Sequence, residues 1–372
     1  MKRLKTILPF ITAAIIFCLP FHAKAEEISF DSGSHARGAS FFKFRHFEEY
    51  GPPVPTVPEY YLYTKDIRLQ ESHGFFSPGD IVGFRLGRQK YHTGYGWNPA
   101  DLFNDPKKNL YPLFEPEGID SVFMSYAFGG HEISTFYSFG KNREDAYPRI
   151  RDGDYQLKMK THTEILDLAI HYTEAKQNRT DYQGLISGSV SPENATIPVR
   201  WQLVSARVSS RIKGIGLHAE GGHAWLSVDD KADESAKKTF AKDHSSFLVG
   251  IDYTFENELY LVLEYYQDGQ SKTSPDRYTL NDRLGYLSNE SDSLGRDNVF
   301  LGAKYPLAHK TSIELYNIIN ANDPSVILNP WLIWSTGDDF TIKFSARFPV
   351  GKEDSSVGQS KPSAFAHIQL NF

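Results

Sequence analysis

The chain has 372 residues, a formal net charge of −6, 23% charged and 14% aromatic residues, and a mean hydropathy of −0.43. That hydropathy excludes a bundle of membrane helices, which needs repeated apolar runs of about 20 residues. The 26 Phe, 21 Tyr and 5 Trp exclude a disordered polar chain.

In chain order, Lys2, Arg3 and Lys5 precede an apolar stretch from Ile7 to Phe21, and Ala23-Lys24-Ala25 forms a small-x-small cleavage site. Residues 1–25 read as a secretory signal peptide rather than an anchor, because the apolar stretch is short. Cys18 follows Ile16 and Phe17, where a lipid-modified cysteine needs a small residue before it. Cleavage removes four of the 40 basic residues and none of the 46 acidic ones. The expected mature domain, residues 26–372, then carries a charge of −10 and no cysteine. Such a chain has no disulfides to stabilise it. Its acidic balance, with no basic arm, excludes nucleic acid as a partner.

From there the pattern alternates with period two. Strands are expected at 39–48, 59–71, 80–90, 120–129, 131–140, 155–163, 165–175, 200–211, 215–228, 244–255, 258–268, 297–306, 311–321, 325–336, 340–350 and 363–372. Phe247, Val249, Ile251, Tyr253 and Phe255 show the rule, alternating with Leu248, Gly250, Asp252 and Thr254. The connections alternate in length as well. Long ones fall at 49–58, 91–119, 141–154, 176–199, 229–243, 269–296 and 351–362, with short turns between. The 72–79 and 322–324 connections break the rule mildly.

A soluble sandwich has no reason to gather its long loops at one end. A transmembrane barrel has one: short periplasmic turns, long outer loops and an even strand count. A ten-residue strand tilted by about 40° spans roughly 25 Å, the height of the apolar band of such barrels. The expected fold is therefore all-β, a transmembrane antiparallel barrel of about sixteen strands. The last ten residues, Ser363 to Phe372, alternate to the end and finish on Phe. This resembles the C-terminal signal by which Gram-negative outer-membrane barrels are recognised for assembly, with Phe372 as the signal residue. The resemblance implies outer-membrane lipid, lipopolysaccharide and the assembly machinery as partners.

With apolar residues outward, the intervening ones face a lumen. The basic set is Lys43, Arg45, Arg85, Lys158, Lys160, Arg207, Arg211, Lys343 and Arg347, with His367. The acidic set is Glu220, Asp252, Glu264 and Glu314, with Lys304 an intruder in its arc. The sorting resembles the opposed charge ladders of general diffusion porins, whose transverse field orients polar solutes. Charges that merely keep the interior wet are the alternative.

The segment Gly87-Arg88-Gln89 through Trp97-Asn98-Pro99-Ala100-Asp101 follows a strand and opens a long loop. This "GRQ … WNPAD" arrangement resembles porin-like outer-membrane proteins of the alginate-export kind. In porins an early long loop folds inward, which implies Arg88, Trp97 and Asp101 as constriction candidates. An outer loop packed on its own aromatics is the alternative.

No nucleophile elbow, zinc-protease helix or phosphate loop occurs. His218 and Glu220 share a strand face while His223 points the other way, as do His171 and Glu174, so neither group reads as a metal site. The expectation is a passive channel for small polar or charged solutes, with no catalytic residues, metal or cofactor. Two other classes stand beside it: a scaffold sheathing an electron carrier or polymer-export machinery, and a lipid-modifying barrel enzyme.

Overall fold

A computed structural model describes residues 28–31, 35–49, 63–78, 81–89, 119–139, 153–191, 194–228, 239–287, 293–335, 340–357 and 361–370. Its strands are β1 (Ile28–Asp31), β2 (His35–Glu49), β3 (Tyr63–Pro78), β4 (Val82–Gln89), β5 (Ile119–Phe128) and β6 (His131–Ser138). They continue with β7 (Tyr155–His162), β8 (Asp167–Thr180), β9 (Thr196–Ile212), β10 (Ile215–Val228), β11 (His244–Thr254) and β12 (Tyr260–Gln267). The last are β13 (Asp297–Ala308), β14 (Thr311–Asn320), β15 (Ser325–Ser335), β16 (Phe340–Val350) and β17 (Ser363–Leu370). Among the described residues, two short α-helices, α1 (Tyr182–Ser187) and α2 (Leu280–Leu287), and a 3-10 turn at Pro275–Arg277 lie between strands. Among the described residues no helix is long and apolar enough to cross a membrane.

Each strand from β2 onward corresponds to one of the sixteen expected from the sequence, and β1 is an addition. Every paired register joins a strand antiparallel to its successor, in one sheet. β3 runs on to Pro78 and β4 begins at Val82, so the connection is shorter than the one expected at 72–79.

Burial is inverted relative to a soluble sheet. On β12, Leu263 is 48% exposed while its neighbour Glu264 is 1% exposed. On β7 and β8, Met159 and Ile170 are exposed, whereas Gln156, His171 and Thr173 are buried. A sheet with no second layer buries its polar face by curling around it. The loops agree. On α2, Asn281 donates to Asp181, just after β8, and Arg283 donates to the carbonyl of Asp354, after β16. In a flat sheet those strands would stand roughly 38 Å apart at about 4.8 Å per strand. The fold is a transmembrane antiparallel β-barrel with a polar inner face.

The turns at the other end follow from local chemistry. Gly129 and Gly130 both take positive φ between β5 and β6, and Lys213-Gly214 does the same between β9 and β10. Two-residue hairpin turns need that left-handed backbone to match the strand twist.

Candidate functional site: the inner wall

On β10, Gly216, His218 and Glu220 alternate inward while Leu217, Ala219 and Gly221 face out. The wall's ion pairs depend on which inward positions lack a side chain. Gly216 stands directly between Arg211 of β9 and Asp252 of β11. With no Cβ in the way, Arg211 reaches across it to Asp252 at 3.1 Å. Gly250 of β11 stands likewise between His218 and Glu264, and the His218 Nε2–H donates to Glu264 Oε1 at 2.8 Å. Lys304 and Glu314 pair directly across β13 and β14 at 3.1 Å, and the Tyr316 hydroxyl also donates to Glu314. Glu220 lies in register with Arg207.

These pairs are not equal. Arg211 and Lys304 are more than half exposed, which limits each to about 0–1 kcal/mol. His218 and Glu264 are almost fully buried. Separating that pair costs several-fold more, because a buried carboxylate loses a donor it has no water to replace.

Of the basic positions, Arg85 lies over the Phe123 ring at 4.4 Å, and Lys158 and Lys160 share the inward alternation of β7 with Gln156. Lys158 has Arg207, Glu132 and Lys160 as its charged neighbours. Lys343 and Arg347 alternate with the exposed Phe344 and Phe348 of β16, and Lys343 is in register with His367. Lys43 occupies the register position opposite Glu71, and Arg45 that opposite Arg68.

The arrangement differs from an open pair of opposed ladders. Asp252 and Glu314 each carry a cationic partner within the wall, and Glu264 is hydrogen-bonded to His218. Lys304, out of place in the acidic arc by sequence, is the partner of Glu314. Arg88 belongs to β4, in register with Asp120, ahead of the long loop. Trp97, Asp101 and Phe372 lie outside the described residues.

Two features of the inner wall have no counterpart in the alternation argument. Val262, Phe300, Tyr316 and Trp331 form a buried inward cluster across β12–β15, with Phe300 and Tyr316 stacked at 6.1 Å. A second cluster joins Ile197, Val199, Trp201, Ala224 and Leu226 of β9 and β10 to Phe240 from the following loop. Phe240 thus packs on the inside of the barrel. The inner face is not uniformly polar.

The outer mouth is spanned by the loop between β12 and β13. Thr279 and Asp282 cap α2 reciprocally: the Thr279 N–H donates to Asp282 Oδ2 at 2.8 Å, and the Asp282 N–H to Thr279 Oγ1 at 3.2 Å. From this loop the buried Tyr278 hydroxyl donates to Asp323 Oδ2 at 2.7 Å. Burial, then that hydrogen bond, pushes the Tyr278 phenol well above its ordinary value. Folded and unfolded chains both keep it protonated below pH of about 10, so this contribution is level there. Above that the unfolded chain alone ionises, and stability falls as pH rises. Tyr278→Phe is expected to remove about 1–2 kcal/mol locally. The readout is faster amide exchange over residues 275–287 at neutral pH, with the strands unchanged.

No family model matches the chain, and no curated protein matches it. Solved structures do. OccAB4 of Acinetobacter baumannii has 10% identity and a TM-score of 0.48, covering 94% of this chain and 87% of that one. A double variant of OccD1 (OprD) has 9% identity and a TM-score of 0.47, covering 90% and 89%. A triple mutant of the Rhodopseudomonas blastica porin has 10% identity and a TM-score of 0.39, covering 91% of each chain. With TM-scores below 0.5, the functional reading rests on the chain's own geometry.

Proposed function

We propose that the chain is an outer-membrane channel for passive diffusion of small polar or charged solutes. The carrying observation is the inverted burial: an exposed apolar outer band around a buried, charged inner wall. An outer surface of that kind suits lipid, and an inner wall of that kind suits water and ions. Residues 1–25 act as the export signal and Phe372 as the assembly signal. Nothing in this mechanism needs a catalytic group or energy coupling.

The wall also gives the channel a sign. Asp252 and Glu314 are paired to Arg211 and Lys304 in the wall, and our reading is that the remaining basic positions set the field that a passing ion meets. Anions are therefore favoured over cations. Neutralising Lys43, Arg45 and Arg347 together, each to Gln, is expected to lower the anion-to-cation permeability ratio several-fold. The reversal potential across a planar bilayer under a tenfold potassium chloride gradient reads it. An unchanged reversal potential would remove these three residues from the selectivity account.

A further inference from the structure

One stretch of the inner wall carries more polar capacity than its own neighbours satisfy. In consecutive register lie Ser134 of β6, Lys158 of β7, His171 of β8 and Ser205 of β9. They form one inward row spanning roughly 14 Å. Arg207 stands on the same face of β9, two residues beyond Ser205. Ser134 and His171 are 2% and 3% exposed, and Ser205 and Arg207 are also buried.

Among the described residues, the Ser134 hydroxyl and both ring nitrogens of His171 have no hydrogen-bond partner. Buried polar atoms in native proteins are nearly always satisfied, and each exception calls for a cause. The charges indicate what is missing. Lys158, Lys160 and Arg207 gather here against Glu132 and Glu220, the latter two in register with Lys160 and Arg207. The residual charge is positive, and two hydroxyls and an imidazole stand beside it. Donors of this kind, set around an ammonium and a guanidinium, match the oxygens of a small oxyanion.

We propose that Ser134, Lys158, His171 and Arg207 form a binding site for a small oxyanion, a phosphate or carboxylate group, on the channel wall. It rests on the reading of this face as the lumen, since a solute reaches the site from there. A solute carrying such a group would pause at the row before passing on, and the site would favour it over chloride.

The test uses the full chain folded in detergent and titrated with inorganic phosphate at pH 7 by calorimetry. The wild type is expected to give saturable heat. Lys158→Gln and His171→Leu are each expected to weaken binding at least tenfold, with circular dichroism showing the barrel intact. Should either fail to fold, Ser134→Ala removes a single hydroxyl and is expected to weaken binding several-fold. Absent binding in the wild type, or equal binding in every folded variant, overturns the site and leaves water as the occupant. Conduction in bilayers without phosphate binding overturns only the site. Phosphate binding by a protein silent in bilayers supports the site and overturns only the channel.

Discussion

Gly250→Ala is expected to lower the unfolding free energy by about 3 kcal/mol. A Cβ at this position would lie 2.2 Å from His218 Nε2 and 2.9 Å from Glu264 Cγ. The histidine ring can swing away, but only by giving up its hydrogen bond to the buried Glu264 carboxylate. Replacing glycine by alanine also restricts the unfolded chain, which stabilises by about 0.4–1 kcal/mol. The loss of the buried pair outweighs that gain. Gly221→Ala is the control. Gly221 faces outward one strand away, and its added Cβ would meet Phe247 Cβ at an ordinary 3.5 Å. Urea unfolding in lipid vesicles, followed by tryptophan fluorescence, separates the two. Equal midpoints would mean that the His218–Glu264 contact contributes nothing to the wall.

Leu263→Arg should cost about 2–4 kcal/mol, the range for a cation placed on the lipid face near the bilayer midplane. Leu263 lies mid-strand in β12, in register with Ile251 and Leu301, and all three are exposed. In a water-soluble protein, arginine at a half-exposed position would be within about 0.5 kcal/mol of neutral. The sign and size of the change therefore distinguish a lipid-facing surface from a wet one. The same vesicle-based urea titration reads it, and a midpoint unchanged from the wild type would contradict the lipid-facing assignment.

Much of the wall was legible in the sequence because a one-sided strand repeats every two residues. Phe344 and Phe348 on one face, and Lys343, Ser345 and Arg347 on the other, specify the phase of β16 without any partner strand. β1 escaped because four residues are too few to show a period. The extension of β3 to Pro78 escaped because Gly74 and Pro78 read as turn residues. What alternation could not supply was register. The His218–Glu264 contact joins residues 46 positions apart across a glycine, and only the pairing of three strands brings them together. The inward aromatic cluster broke the apolar-out rule itself, since Val262, Phe300 and Trp331 sit on the lumen side of their strands.

In sequence His171 lies near Glu174, on the opposite face, while its neighbours in the fold are Lys158 and Ser205. The capping pair Thr279 and Asp282 was a readable signal for α2, three residues apart at the start of a helix. Strong period-two alternation on either side of it masks a helix of only eight residues.

The proposed channel requires this barrel to be an open conduit through the membrane. Planar-bilayer recording of the purified chain decides whether it is. Stable, stepwise openings with an anion-leaning reversal potential are expected. Silence in the bilayer from protein that is folded and inserted would contradict it, and would favour a scaffold if a partner co-purifies or an enzyme if lipid is hydrolysed.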